Sequence, residues 1–360
     1  LHAPAGGLYS CPVTEIEIGK GKRGRRAYSF DDIAIVPSRR TRDPEEVSIS
    51  WQIDAYHFDL PLMAAPMDSV VSPQTAIEMG KLGGLGVLDL EGLWTRYDDP
   101  SKALDEIAAL GPADCTKRMR ELYAAPMRPE LITQRLQEIR AAGVTVAGAL
   151  SPQHTQQYWR AVVDAGVDLF VIRGTTVSAE HVSSNLEPLN LKRFIYELDV
   201  PVVVGGAGTY TAALHLMRTG AAGVLVGFGG GSAHRTRTTL GIDAPMATSI
   251  ADVSAARRDY LDESGGRYVH VIADGGVGNS GEIVKAVACG ADAVMIGAAL
   301  ARAHEAPGRG YHWGSEAHHP LLPRGERVHV GTVASLAEIL LGPGRDADGS
   351  TNLMGALRRA

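Results

Sequence analysis

The residues from Gly227 to Gly241 read GFGGGSAHRTRTTLG and follow the strand-like run AAGVLV. Glycines at such a point let backbone N–H groups close around an oxyanion, and Ser232 adds a hydroxyl donor. His234 stands in the middle of that loop. A histidine titrates near physiological pH, so it can serve as a base or simply hydrogen-bond a ligand. Arg235 and Arg237 beside it suit a phosphate or a second anion. Two further glycine sites, Gly275-Gly276 and Gly297, occur later in the chain. Together with Gly229-Gly230-Gly231 they form a candidate phosphate cradle on three successive units. Asp274 immediately precedes the second site, and a carboxylate can accept two hydrogen bonds from a diol such as that of a ribose.

Such residues converge only if the elements before them run in parallel. One pattern recurs in AAGVTVAGA, DAGVDLFVI, RTGAAGVLVG and ACGADAVMIG: a helix-like segment ends at a glycine and a short, nearly uncharged strand follows. Glycine past a helix end supplies the left-handed position there, and unbroken apolar runs imply strands buried on both faces. LPLMAAPM, GLGVLDL, VPVVVGG and VHVIADGG complete close to eight such strands. The fold class predicted is α/β, a (β/α)8 TIM barrel over residues 1–360, with the unusual residues at the strand C-termini where such barrels carry their sites. A doubly wound open sheet is the alternative, but no G-x-G-x-x-G opens a helix after the first strand. Residues 98–140 read as a helical connection. Residues 302–330, rich in Gly, Pro and His, read as a flap-like loop.

Composition narrows the function classes. The 360 residues are 45% hydrophobic and 21% charged, with a net charge of −6. That balance gives no footprint for nucleic acid, and the short basic run Lys20–Arg26 reads as a solvated arm. No apolar run is long enough to cross a bilayer, and the first ten residues contain no signal-peptide core. Cys11, Cys115 and Cys289 are few and lack metal-type spacing, which fits a reduced cytoplasmic protein. EAHHP (Glu316 to Pro320) with His312 and His329 lacks the fixed spacing of a closed zinc site, so no metal is expected. Trp94 and Trp159 read as packing residues; Trp313 lies in the flap.

The motifs in their order resemble the inosine monophosphate (IMP) dehydrogenase/GMP reductase family. YSFDDIAIVPS resembles its opening strand, LPLMAAPMDSV its APMD segment, KLGGLGVL the following unit, and GFGGGSAHRTRTTLG the catalytic loop. VIADGGVGNSGEIVKAVACGADAVMIG is the nearest match. Residues 98–140 are too short for the CBS pair that many members insert, so the chain resembles the short, CBS-less, IMP dehydrogenase-related branch. The resemblance implies a nucleotide-binding TIM barrel for a purine 5′-monophosphate (IMP, XMP or GMP). It implies an NAD- or NADP-dependent oxidoreductase of GMP biosynthesis, a monovalent cation, and a homotetramer or octamer. It makes Ser232, Gly276 and Gly297 phosphate contacts, with Gly230, Gly231, Gly275 and Ala298 beside them, and Asp274 the ribose carboxylate. Met67 packs under the base and the backbone near Trp313 and Gly314 meets the purine edge.

The departures from the family pattern are concentrated. The family's nucleophilic cysteine, preceded by Gly-Ser-x, is His234 here, while Thr236 keeps the threonine two residues on. An aspartate near the nicotinamide ribose is Arg173, and a lysine before the loop is Leu225. Two serines are Ala65 and Ala298. The Arg-Tyr pair that activates water has no clear counterpart beyond Arg324 or Arg327. Cys289 falls at the wrong end to substitute. A thiolate is both nucleophile and leaving group, and imidazole replaces it poorly. The catalytic candidates are therefore His234, as base or ligand contact, and Thr236. The alternatives are a catalytically inactive nucleotide sensor and a partner subunit of an active relative.

Overall fold

The computed structural model describes residues 15–37, 41–181 and 188–360; Cys11 and Ser38, singled out above, lie outside them. Eight short strands close a parallel barrel. They are β1 (Leu62–Ala64), β2 (Leu85–Asp89), β3 (Ala147–Leu150), β4 (Leu169–Arg173), β5 (Val202–Ala207), β6 (Gly223–Val226), β7 (His270–Asp274) and β8 (Ala293–Ile296). Closure comes from β8 pairing with β1, Val294 opposite Leu62 and Ile296 opposite Ala64. Every residue of β1, β3, β5, β6 and β8 is buried. That is the physical meaning of the unbroken apolar runs: one face fills the barrel and the other meets the helices.

The helices return the chain to the barrel's N-terminal end. Pro152–Asp164 and Ser280–Ala288 both begin at a Ser or Asn cap position and end before a glycine, Gly166 (φ +83°) and Gly290 (φ +112°). Only glycine adopts that conformation without strain. The connection 98–140 divides into three helices, Ser101–Ala109, Pro112–Leu122 and Pro129–Ala141. The third is an ordinary barrel helix between β2 and β3. The first two build a small side layer over the C-terminal rim, with its own core of Leu93, Ile107, Met119, Tyr123 and Trp313.

The segment 302–330 lies against that layer. It contains the antiparallel pair Tyr311–His312 with Val328–His329 and a 3-10 turn, Ser315–His318. Arg327 fastens it: its guanidinium donates to the carbonyls of Ala108 (3.0 Å) and Leu110 (2.7 Å) and lies 4.0 Å over the Tyr311 ring. These are the last carbonyls of the first side-layer helix, which otherwise lack partners. At the opposite end of the barrel a hairpin, Trp51–Ile53 with Tyr56–Phe58, meets the strand starts through Trp51 Nε1 donating to His270 Nδ1 (3.1 Å). The basic run is folded into a second hairpin, Glu15–Gly19 with Lys22–Arg25, in which Arg25 reaches Asp252 (3.2 Å).

The contact between β2 and the helix Pro73–Lys81 is set by Gly86. A Cβ at this position would lie 2.5 Å from the Ala76 Cα and 2.8 Å from its Cβ. Helix backbone cannot yield as a side-chain tip can, so Gly86→Ala is expected to destabilise the fold by roughly 1–3 kcal/mol. Urea unfolding checks this; an unchanged midpoint would contradict so close an approach.

Candidate functional site

The C-terminal ends of β1, β6, β7 and β8 surround a cavity of about 230 Å³. Met67, Gly230, Gly231, Ser232, Asp274, Gly275, Gly276, Gly297 and Ala298 all line it, with Ala65, Glu282 and His312. The glycines allow the loops to touch. A Cβ on Gly275 would lie 2.6 Å from the Gly230 amide nitrogen, and one on Gly297 would lie 3.1 Å from the His312 ring. The helix Ser280–Ala288 starts at the rim, and Glu282 accepts from the amides of Gly278 (2.6 Å) and Asn279 (3.1 Å). Trp313 lies outside this lining. Its side chain is buried in the side layer, its indole donates to Tyr123 Oη (2.9 Å), and Ser69 Oγ engages both its amide (3.2 Å) and its carbonyl (2.9 Å). Gly314 lies beside Met67: a Cβ there would be 3.3 Å from Met67 Cε and 2.7 Å from Glu316 Oε2.

His234 and Thr236 lie outside the residues that line the cradle; His234 sits behind the loop, where a Cβ on Gly229 would be 4.0 Å from its Nε2. Its side chain is 7% exposed, its amide donates to Gly231 O (3.1 Å), and Gly325 of the flap bridges to it. Nε2 lies 3.1 Å from Thr236 Oγ1 and 3.6 Å from Glu316 Oε1. The first is a hydrogen bond; the second lies beyond hydrogen-bond length. Burial alone would raise the Glu316 carboxyl, but His234 and Arg173 outweigh it and hold the group down at about 2. Glu316 is therefore a buried anion at neutral pH.

Arg173, at the end of β4, donates through Nε to Asp274 Oδ2 (2.9 Å), and the two side chains are 11% and 5% exposed. Burial works against the guanidinium charge, yet Asp274 and Glu316 hold its pKa above the usual value. A Cβ on Gly229 would lie 2.6 Å from Arg173 Nη2 and 4.0 Å from His234 Nε2. Arg173, Asp274, Glu316 and His234 are thus one buried cluster. Removing one partner of such a pair typically costs about 3–5 kcal/mol, because the other charge is left uncompensated.

A larger cavity of about 610 Å³ is lined by Arg173 and Glu316, which do not line the cradle. Glu91 Oε2 is 2.6 Å from His154 Nδ1; that contact raises His154, and the same partner overcomes burial to keep Glu91 low. Asp89 is pushed well up by burial next to Asp68 and Glu91. Tyr123 and His318 stack with ring centroids 3.4 Å apart, and burial together with Arg96 keeps the His318 ring neutral, down at about 3. Arg324 donates to Thr175 Oγ1 (2.7 Å) in this cavity, whereas Arg327 is the helix cap described above.

Sequence reading brought the cradle residues together but missed the cluster. In sequence Glu316 stands out only as part of a histidine-rich tract. The structure separates that tract: His312 Nδ1 meets Ser69 Oγ (3.1 Å) and His329 packs on Tyr311. No group of three or more His, Cys, Asp or Glu able to hold a metal occurs among the described residues. Nor is any described helix long and apolar enough to cross a membrane. Cys289 caps the C-terminal end of Ser280–Ala288, far from the strand C-termini, and burial raises its thiol.

Comparison with known proteins agrees with this geometry. The sequence model of the IMP dehydrogenase/GMP reductase domain matches residues 27–318. An uncharacterized oxidoreductase of Mycobacterium tuberculosis (strain ATCC 25618 / H37Rv) is 53% identical over 355 residues, covering 96% of this chain and 94% of that protein. The inosine-5′-monophosphate dehydrogenase of Methanocaldococcus jannaschii is 25% identical over 375 residues, 79% of this chain and 74% of that protein. The crystal structure of an IMP dehydrogenase/GMP reductase-like protein from Corynebacterium glutamicum superposes with a TM-score of 0.92 at 50% identity, over 96% of this chain and 92% of that one.

Asp68 supplies a pH test of the rim. It accepts from Leu93 N (2.7 Å) and Tyr123 Oη (2.6 Å), and burial pushes it up to about 6 from an ordinary 3.8. Its folded pKa is the higher one, so its contribution to stability is complete below about pH 4 and lost as pH rises through 6. Compared with wild type, Asp68→Asn is expected to gain stability steadily between about pH 4 and 7. Urea titrations at several pH values measure this, and a constant gap between the two proteins would contradict the buried neutral carboxyl.

Proposed function

Because the chain belongs to the IMP dehydrogenase/GMP reductase family, we propose that it binds a purine 5′-monophosphate in the glycine cradle and oxidises it without a thiol. The observation that carries this reading is the buried His234–Glu316 contact behind the cradle loop. In the reading, amides of the Gly230-Gly231-Ser232 loop, Gly276 and Gly297 hold the phosphate, with the Ser232 hydroxyl. Asp274 takes the ribose diol and Met67 supports the base. With Nε2 turned to Thr236 and Glu316, Nδ1 is the ring nitrogen that accepts a proton from water attacking the purine. Glu316 fixes the ring and offsets the positive charge formed on it. Arg173 keeps Glu316 ionised.

The larger cavity is lined by Arg173 and Glu316 of the same cluster, and its arginine-bearing lining suits the phosphates of a nicotinamide dinucleotide, NAD or NADP. When bound, that group supplies a hydride acceptor. The net change consumes water and releases one proton alongside the hydride. Direct hydration lacks the covalent step that a thiolate provides, so turnover is slow by the standards of enzymes. In keeping with the family, the reading places the chain in cytoplasmic purine nucleotide metabolism as a homotetramer or octamer.

One observation favours a second reading, a nucleotide sensor without redox chemistry: Asp274 is already engaged by Arg173. Two measurements separate the two. Calorimetric titration with IMP, XMP and GMP is expected to show binding of one nucleotide, weakened about tenfold in Ser232→Ala. NADH or NADPH formation is expected to fall roughly 10²–10⁴-fold in His234→Ala and to fall also in Glu316→Gln. Binding with no turnover by the wild type would establish the sensor. No binding of any of the three would end both readings.

A further inference from the structure

Among the described residues no lysine or arginine lines the glycine cradle. Its ionisable side chains are Asp274, Glu282 and His312. Arg173 reaches Asp274 from outside the lining (2.9 Å), and Glu282 accepts from the amides of Gly278 and Asn279. The Glu282 carboxylate thereby offsets the partial positive charge that the start of the helix Ser280–Ala288 would present to an anion. Outside the lining, Asp243 Oδ1 would lie 3.7 Å from a Cβ on Gly230, and Arg237 faces that carboxylate at 3.4 Å. An anion in the cradle therefore meets backbone amides and the Ser232 hydroxyl, but no full positive charge in the lining.

His312 adds an acceptor rather than a donor. It is 2% exposed, and a Cβ on Gly297 would lie 3.1 Å from its Cε1 and 3.4 Å from its Nε2. The contacts of Ser69 fix its tautomer. Ser69 Oγ lies 2.9 Å from the Trp313 carbonyl oxygen, which can only accept, so the one hydroxyl proton goes there. The same Oγ accepts from the Trp313 amide (3.2 Å), and its 3.1 Å contact with His312 Nδ1 is then an N–H donated by the ring. A neutral imidazole with its proton on Nδ1 carries a lone pair on Nε2. Burial keeps the ring neutral, down at about 4, against the opposing pull of Glu316. No hydrogen bond from a described residue reaches Nε2. The cradle thus holds a bare acceptor beside Gly297.

We propose that the cradle binds its phosphate as the monoanion, with the remaining P–OH donating to His312 Nε2. The dianion would set an unprotonated oxygen against that lone pair. Its second charge would face Asp274 and Glu282 with no cation in the lining, and like charges favour the protonated form. A phosphate monoester gives up its second proton at about pH 6, so the selection acts within the ordinary pH range. The inference rests on the preceding reading for the nucleotide attached to the phosphate, and on the cradle alone for the phosphate's charge.

Calorimetric titration of the full chain with IMP, XMP and GMP between about pH 6 and 8 tests it, with inorganic phosphate and the 5′-sulfate of the same nucleoside as further probes. Affinity for the nucleotide that binds is expected to fall roughly tenfold or more across that range, and affinity for inorganic phosphate to fall in the same direction. The sulfate ester keeps one negative charge throughout and has no proton to donate. It is expected to bind about tenfold more weakly than the phosphate at the acidic end, with no pH trend of its own. His312→Asn keeps a side-chain N–H for Ser69 while removing the far ring nitrogen, and is expected to flatten the nucleotide's pH profile. The sulfate comparison needs no variant, so the test survives if His312→Asn disturbs the flap. Affinity that is constant or rises with pH, a sulfate ester that follows the same trend, or a trend that persists in His312→Asn would overturn the proposal and leave the nucleotide reading standing. Inorganic phosphate binding with the expected trend, in a protein that ignores all three nucleotides, would sustain the proposal and end that reading. No binding of any probe at any pH would overturn both.

Discussion

The buried pair between Arg173 and Asp274 is the constraint around which the site is organised. It joins the end of β4 to the end of β7 across the mouth of the barrel at 2.9 Å. A pair this buried gains little net stability by itself, but loss of either member strands a charge. Its presence explains the other assignments. Glu316 is held ionised because Arg173 and His234 both face it. His234 is held because Glu316 and Thr236 share its Nε2. Gly229 has to be a glycine, since any side chain there would meet the guanidinium. Arg173 and His234 are thus coupled through Glu316.

The flap completes the cluster rather than covering it loosely. It contributes Glu316, and its return strand passes Gly325 against His234 and Arg324 against Thr175. Arg327 ties the same segment to the side-layer helix, while Trp313 is locked into the side-layer core. The side layer therefore positions part of the site. It fixes the segment that carries Glu316, and Arg96 and Arg120 beside it line the larger cavity.

Much of this was legible in the sequence, for identifiable reasons. Uncharged runs ending in Val, Ile and Gly announce doubly buried strands, and their parallel direction brings their C-terminal residues together. Gly230, Ser232, Asp274, Gly276 and Gly297 could therefore be gathered into one cavity without coordinates. The partners of His234 and Asp274 could not. Arg173 was visible as a departure at a strand end, but nothing local says that a guanidinium reaches a carboxylate 101 residues away. Glu316 lies among histidines, a context that suggests metal binding. Only the fold of the flap, set by contacts of Trp313 and Arg327 distant in sequence, turns it toward His234. Residues 98–140 read as a connection because helical pattern alone cannot separate a barrel helix, Pro129–Ala141, from the two that form a side layer.

The most direct test of the account is a crystal structure of the chain with a bound purine 5′-monophosphate. The expected result is a phosphate among Ser232, Gly276 and Gly297, ribose hydroxyls on Asp274, and Arg173 released from that carboxylate toward Glu316. A nucleotide bound elsewhere, with the Arg173–Asp274 pair intact and the glycine cavity unfilled, would contradict it.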